Sequence, residues 1–434
     1  MTGSVRNILS HPTAQSLWSD TAIPAPPTPA LQESISVEVL IVGAGYTGLS
    51  AALHLAERGA SVCVLDAHEP GWGASGRNGG QVNPTLKHDP DELTRIYGAE
   101  HSEKLIEAVS GSADLVFGLI ARHAIDCQPV RAGWLQMGYT EKAVASMHAR
   151  ARQWERRGAR VEMLDRTMLA QRVGSSAFAG GWLDGRAGSI QPLSYARGLT
   201  RAALNLKVQV HGRSPVTNLV RRGAQWTATT AGGATVTAAQ VVLATNGYTD
   251  GLWPGLAKTV LAANSFIVAT EPLGVKGDLF LPGGETASTS QRLLLYFRKD
   301  AQGRLLMGGR GHFRDPESSV DFRHLERAVA LTFPQLGPVR YQYRWSGRVA
   351  ITRDFMPHMH QPATGITMAL GYNGRGIALA TLMGRQVADM LNGTRGTEGG
   401  IPVTPLRPIP LHGLQRAYVA AGVAWYSLLD KLSG

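Results

Sequence analysis

The 434-residue chain has only two cysteines, Cys63 and Cys127. That excludes a disulfide framework and suits a reducing compartment. No run of His, Cys, Asp and Glu has metal-ligand spacing, so no metal is expected. No apolar run approaches the ~20 residues of a membrane span. The opening stretch MTGSVRNILSHPTAQSLW lacks the apolar core of a secretory signal. A cytoplasmic protein is therefore expected. One route to a peripheral inner-membrane position stays open, a weak association through the C-terminal tail. There Leu414, Tyr418, Ala421, Trp425, Leu428 and Leu432 share a face, which can dock on the body or lie at an interface. Acidic residues are also few: 32 against 43 basic ones, a formal charge of +11. The arginines are scattered rather than gathered in a stripe, and no nucleic-acid module is visible, so no nucleic-acid partner is expected. A basic field instead suits cofactor phosphates and acidic small molecules.

Apolar residues make up an ordinary 44% of the chain, whereas glycine is abundant at 51 residues. Residues 37–42 (VEVLIV) are almost all apolar, as in a strand buried on both faces of a parallel sheet. The turn Gly43-Ala44-Gly45-Tyr46-Thr47-Gly48 follows and matches G-x-G-x-x-G. The first glycine permits the turn, the second admits a pyrophosphate, and the third lets helix and strand pack closely. Leu49, Ala52, Leu53 and Ala56 then recur at helical spacing. A second strand, residues 61–65, ends at Asp66, 18 residues past Gly48 (66 − 48). That acid can accept hydrogen bonds from ribose hydroxyls. The pattern predicts a bound dinucleotide and does not separate NAD from FAD.

Two further glycine-rich turns narrow the choice. Residues 71–81 (GWGASGRNGGQ) form a small-sided loop suited to close backbone approach. A strand at 241–243 ends in Ala244-Thr245-Asn246-Gly247-Tyr248, and a strand at 365–370 ends in Gly371-Tyr372-Asn373-Gly374-Arg375-Gly376. A helix follows over 377–391, with Leu379, Leu382, Met383 and Val387 on one side. Three such units converging on one cofactor fit a flavin, which must be held at both its pyrophosphate and its ring; an NAD(P)-linked Rossmann enzyme needs one. Helices are predicted across 90–157, and strands at 208–216, 225–230 and 235–237. Strands at 262–270, 293–298 and 304–309 read as an antiparallel sheet. The fold class is therefore α/β, with a discontinuous Rossmann-like FAD-binding domain and a second α+β substrate domain built on an antiparallel sheet. The expected division is an N-terminal arm over 1–35, proline-rich at 21–29, and a tail over 395–434. The FAD-binding domain takes 36–84, 186–250 and 346–394, and the substrate domain takes 85–185 and 251–345.

The segments VGAGYTGLSAALHL, GASGRNGGQ, VVLATNGY and GYNGRGIALATLMGRQVADML resemble the D-amino-acid oxidase family of FAD amine oxidoreductases. GASGRNGGQ, YRWSG and AAGVAWYSLLDKL are similar to its bacterial gamma-glutamylputrescine oxidoreductase subfamily. The likeness runs from about Ser34 to the end of the chain. It implies that Gly43, Gly45, Tyr46, Thr47 and Gly48 hold the pyrophosphate of FAD, with Asp66 and Ala67 at the adenosine ribose. Ser75, Gly76, Arg77, Asn78, Gly79, Gly80 and Gln81 would run past the pyrophosphate to the ring, and Val216 would meet the adenine. Thr245, Asn246 and Gly247 would make a second cofactor contact. Gly371, Tyr372, Asn373, Gly374, Arg375, Gly376 and Ile377 would lie at the pyrimidine end. Relatives that attach FAD covalently use a cysteine late in the chain or a histidine near the first loop. Here no cysteine follows Cys127, and Ser75-Gly76 stands in the loop, so noncovalent FAD is expected.

The resemblance implies oxidation of a C–N bond of a small amine or amino acid, gamma-glutamylputrescine-like, to an imine. A hydride moves to flavin N5, and water hydrolyses the imine to aldehyde and ammonia. A cyclic or secondary amino acid such as L-pipecolate or sarcosine is the alternative substrate. Oxygen or a quinone-type acceptor would take the electrons. Relatives place an oxygen-activating lysine beside the flavin, whereas the comparable strand here reads Leu305-Leu306-Met307-Gly308. Tyr296, Tyr248, Trp345 and Tyr372 are candidates for an aromatic wall that disfavours ammonium. Arg298 and Arg310 are candidates for a substrate carboxylate, which arginine grips bidentately. Arg375 and the helix N-terminus after it are candidates for holding negative charge on the reduced ring.

Overall fold

A computed structural model of the chain describes residues 16–291, 294–312, 314–393 and 400–415. The C-terminal face running from Tyr418 to Leu432 lies outside the described residues, so the docking expected of it is not addressed.

Ile35–Val42 is the centre of the first sheet, whose order is His358–His360, Ile366–Leu370, Thr235–Leu243, Ile35–Val42, Val62–Leu65, Gln209–His211. It pairs in parallel with Thr235–Leu243 and with Val62–Leu65. Its later residues are buried on both faces, which is why their sequence is continuously apolar rather than alternating. Tyr46–Ala56, Pro192–Asn205 and Gly376–Leu391 cover one face. The helices Tyr46–Ala56 and Gly376–Leu391 touch backbone to backbone. A Cβ on Gly384 would lie 2.5 Å from Thr47 O and 2.6 Å from Ser50 Cβ. The antiparallel strands Val216–Arg222 and Gln225–Thr230 extend the sheet beside Thr235–Leu243.

The second sheet has eight strands, in the order Tyr341–Thr352, Val260–Thr270, Leu305–Arg310, Tyr296–Lys299, Thr286–Thr289, Trp134–Gly138, Gly180–Asp184, Val161–Leu164. Every pair is antiparallel except Thr286–Thr289 with Trp134–Gly138. Phe266, Phe280, Phe297 and Phe333 fill its core beneath the helix Arg323–Thr332. A smaller cluster lies by the N-terminal helix Leu17–Thr21, where Leu17 and Trp18 pack with Leu193, Ile267, Tyr343 and Trp345. Ser16 caps that helix in a capping box with Ser19. The arm is therefore anchored by a buried tryptophan before its extended stretch begins.

Four local expectations change. The strand expected over 208–216 breaks after His211, because Arg213 takes a left-handed φ of +48° and Ser214 N turns back to Asp66 O at 2.7 Å. Thr235–Leu243 is one strand rather than two. The helices expected across 90–157 are interrupted by Trp134–Gly138, a strand buried at every position and so lacking the alternation that marks half-buried strands. The strand expected from Leu293 starts at Tyr296; Leu293 itself lies outside the described residues.

Candidate flavin and substrate site

One cavity of about 720 Å³ runs from the first glycine turn to the second sheet. At the turn, Gly43 has φ +110°, and a Cβ there would stand 2.8 Å from Ala244 O. A Cβ on Gly48 would stand 2.0 Å from Gly43 O, so this glycine serves helix–strand contact and does not itself line the cavity. The helix Tyr46–Ala56 starts at Gly45 with no side-chain cap, and its first N–H groups can meet a phosphate. Asp66 Oδ2 accepts from Ala44 N at 2.7 Å, and Oδ1 accepts from His68 N at 2.9 Å. Burial pushes the Asp66 carboxyl up to about 6 against the opposing pull of those two bonds. The acid both ties the turn and keeps lone pairs for ribose hydroxyls. Ala67 and Val216 line the same end.

The loop 71–81 is held from behind. Trp18 Nε1 donates to Asn78 O at 2.8 Å, and Trp345 Nε1 donates to Arg77 O at 2.9 Å, so two indoles grip consecutive carbonyls. The rings meet edge to face at 5.9 Å. Asn78 Nδ2 donates to Ala74 O and Ser75 O, both at 3.0 Å, and Asn78 Oδ1 accepts from Gly80 N at 2.8 Å. Tyr46 N donates to Ser75 Oγ at 3.1 Å, which joins the loop to the first helix turn. Arg77 stacks on Trp72, 4.4 Å from its ring centre. Ser75, Arg77, Asn78, Gly79 and Gln81 line the cavity, whereas Gly76 and Gly80 sit behind it. A Cβ on Gly76 would meet Gly71 O at 2.3 Å, and one on Gly80 would meet the Arg298 guanidinium at 2.3 Å.

At the far end, Asn246 Oδ1 accepts from Gly371 N at 2.9 Å. Asn373 Oδ1 accepts from Thr352 N at 3.0 Å, and its Nδ2 donates to Gly371 O at 2.6 Å. Both asparagines are left-handed, φ +45° and +51°, a conformation their side chains stabilise locally. The Tyr372 and Thr47 hydroxyls bond each other, joining the third turn to the first. Thr245, Asn246, Tyr372, Asn373, Gly374, Arg375, Gly376 and Ile377 line the cavity. Gly247 backs onto Arg348 O, and Gly371 packs on Thr352, so neither lines it.

Among the substrate candidates, Tyr296 and Arg310 line the cavity. The Tyr296 hydroxyl lies 2.9 Å from Ser265 Oγ, and burial pushes its phenol up to about 12, so it stays neutral. Arg298 and Trp345 do not line the cavity. Arg298 is buried under the loop and donates to Ile190 O at 2.7 Å, Gly80 O at 3.1 Å and Lys299 O at 3.2 Å. Three of its five N–H donors go to carbonyls, and the buried side chain lies under the loop rather than on the cavity. Trp345 is turned toward Arg77 O. Lys87, Asn83, Trp72, Arg348 and Phe355 line the cavity without having been singled out. Trp72 had a signal, as the one aromatic in a glycine-rich loop; Lys87 stands alone in an irregular stretch and had none.

A glycine-turn helix, a buried acid tied to that turn and two more backbone-lined turns around one cavity fit a flavin-dependent oxidoreductase. The donor set suits FAD: close backbone at one end, and a helix start with left-handed asparagines at the other. The family model for FAD dependent oxidoreductases (DAO) matches residues 38–390, and the chain belongs to that family. It is 35% identical over 418 residues to gamma-glutamylputrescine oxidoreductase of Escherichia coli (strain K12), covering 94% of this chain and 96% of that protein. It is 33% identical to the probable oxidoreductase OrdL of Haemophilus influenzae, covering 93% and 94%. Among solved structures, glycine oxidase from Geobacillus kaustophilus superposes with a TM-score of 0.71 at 22% identity, covering 83% of this chain and 96% of that one. L-proline dehydrogenase from P. horikoshii gives 0.72 at 17% identity, covering 85% and 96%. The protein is an FAD enzyme, and the NAD(P)-linked alternative does not stand. Among the described residues, no helix is long and apolar enough to cross a membrane.

Proposed function

We propose that the protein oxidises a C–N bond of a small amine of the gamma-glutamylputrescine type to an imine, which water hydrolyses to an aldehyde and ammonia. The observation that carries this reading is the end-to-end likeness to gamma-glutamylputrescine oxidoreductase, spanning 94% of this chain and 96% of that enzyme. FAD, when bound, supplies the hydride acceptor. The chain supplies place and polarity. Gly43, Gly45 and the start of Tyr46–Ala56 take the pyrophosphate, and Asp66 takes the ribose. Ser75, Arg77, Asn78, Gly79 and Gln81 carry backbone toward the ring. The start of Gly376–Leu391 points free N–H groups at the ring end, where negative charge grows on reduction.

The substrate amine must be neutral when it gives up hydride. Tyr296, Ile267 and Ala263 line that side of the cavity, and a neutral phenol among apolar groups disfavours ammonium. No general base is assigned. Attachment of FAD is read as noncovalent: Cys63 and Cys127 are both buried in the body, and neither lines the cavity.

The test is anaerobic reduction of the purified yellow protein by gamma-glutamylputrescine, putrescine, L-pipecolate, sarcosine and D-alanine, followed in the visible spectrum. Bleaching by gamma-glutamylputrescine at the lowest concentration supports the reading. Bleaching by L-pipecolate or sarcosine alone replaces it. Admitting air then shows whether oxygen accepts the electrons.

A further inference from the structure

The mouth of the cavity carries an aromatic ring on a strained turn. Phe355 lines the cavity and is also 45% exposed, so it stands where cavity meets solvent. Lys87 lines the same cavity from an exposed position, on the stretch before the helix Pro90–Tyr97. Phe355 follows the strand Tyr341–Thr352 and has a left-handed φ of +57°, the one aromatic residue to do so among the described residues. A bulky residue keeps that conformation only where its surroundings impose it. Here the turn is fixed on both sides of the ring. Thr352 N donates to Asn373 Oδ1 at 3.0 Å, Thr352 Oγ1 donates to Met356 O at 2.8 Å, and Met356 is buried.

One bond ties this turn to the stretch that carries Lys87. His88 Nε2 donates to Asp354 O at 2.6 Å, and His88 Nδ1 donates to Glu92 Oε2 at 3.0 Å. Both partners are acceptors, and only the imidazolium has two N–H groups to give them. Burial works against that charge, but the bonds to Asp354 O and Glu92 more than offset it and hold the His88 imidazole above its usual range. The other charged and titratable groups around the link are Lys87 and Asp89 beside it in sequence, Tyr97 on the helix, and Arg353, Asp354 and His358 on the turn. Asp89 pairs with Arg150. Burial also opposes the Asp354 carboxylate, yet the bonds from His358 Nε2 at 3.0 Å and Met356 N at 3.1 Å hold it down at about 2, so it stays ionised near neutral pH.

We propose that Phe355 is a gate at the mouth of the cavity, and that His88, acting through Asp354, is the positioning residue that holds it there. This goes beyond the proposed reaction and concerns how a ligand reaches the flavin. A ring at the mouth limits water in the cavity and swings aside as a ligand enters. With His88 protonated, both bonds are made and the turn is held. As pH rises through the raised His88 value, one N–H is lost and a lone pair faces an acceptor. The ratio of held to released turn then falls by about tenfold.

The test places 4-fluorophenylalanine at position 355 of the full, FAD-loaded chain and follows its fluorine resonance from about pH 6 to pH 9. Two exchanging environments are expected, with the held one losing share as pH rises, and His88→Gln should remove that response. A single environment unmoved by pH overturns the gate. A pH response that survives in His88→Gln overturns the role of His88 and assigns the change to another group at the mouth. The companion measurement is the second-order rate of flavin bleaching by gamma-glutamylputrescine in Phe355→Gly relative to wild type, a ratio that cancels the titration of the amine itself. The ratio should be about tenfold at pH 6 and close to one at pH 9. Glycine adopts a left-handed φ without strain, so the melting temperature of Phe355→Gly should not fall. A lower melting temperature with a ratio of one at both pH values makes Phe355 a packing residue and overturns the proposal. The fluorine measurement needs no turnover, so a failed amine reading and a failed gate remain distinguishable.

Discussion

Asp66 allows a quantitative prediction about cofactor affinity. Its carboxylate accepts from Ala44 N and His68 N and lines the cavity beside the first glycine turn, where the proposed function puts the ribose. Ionised, it offers acceptors to the backbone and to FAD at once; protonated, one oxygen becomes a donor and opposes an N–H. The folded carboxyl sits at about 6, raised by burial above its unfolded value. A raised acid is ionised at a cost, and that cost is offset when ribose hydroxyls donate to it. FAD affinity is thus full above pH 6 and falls as pH drops through 6. With one proton at about 6, the loss between pH 7 and pH 5 is about tenfold. Asp66→Asn replaces one acceptor oxygen by an N–H donor, so a ribose hydroxyl loses its partner on binding at a cost of about 1–3 kcal/mol, or about five- to 150-fold in affinity. The assay is titration of apoprotein with FAD, following quenching of flavin fluorescence at pH 5, 6 and 7. Wild-type affinity that is flat or rises toward pH 5, or an Asp66→Asn variant that binds FAD as wild type does, would refute the reasoning.

Other consequences concern the supports of the site. Trp18→Phe leaves Asn78 O without its donor, at about 1–3 kcal/mol, and should lower both thermal stability and the flavin retained through dialysis. Arg298→Met strips donors from three carbonyls, so melting temperature should fall while KM for the amine stays within about twofold of wild type; a large KM change at unaltered stability would return Arg298 to the substrate site. Gly384→Val forces the helices Tyr46–Ala56 and Gly376–Leu391 apart, overpacking that costs about 1–3 kcal/mol or more. Because both helix starts line the cavity, thermal melts with and without excess FAD should show that added FAD rescues less stability than in wild type.

Much of the cofactor end was legible because backbone approach leaves a mark in residue type. Gly43, Gly45 and Gly48 each meet a requirement that few other residues satisfy, and Asp66 stands where the second strand ends. The substrate end was harder. Tyr296 and Arg298 lie two apart on one strand and so share a face, as the pattern implies. The loop 71–81 crosses that face between them, leaving Tyr296 on the cavity and Arg298 under Gly80 O. Nothing local in the sequence announces where one segment covers another. Lys87 and Arg375 line one cavity only because the fold brings the irregular stretch before the helix Pro90–Tyr97 to the start of the helix Gly376–Leu391. Trp134–Gly138 escaped because a strand buried throughout has no alternation to read.

The paired indoles behind the loop have a consequence for how the protein matures. Trp18 comes from the start of the described chain, and Trp345 from the strand Tyr341–Thr352 far along it, yet both hold carbonyls of adjacent residues in the loop that lines the cavity. The glycine turn and its sheet partner Val62–Leu65 can form early, from residues close in sequence. The loop receives its second support only after most of the chain has been made and the last long strand has paired with Val260–Thr270. Long-range closures of this kind come late in folding. Capture of FAD is therefore expected only once the chain has been made past Tyr341–Thr352, and a product truncated before that strand, though it carries an intact G-x-G-x-x-G turn, should remain colourless.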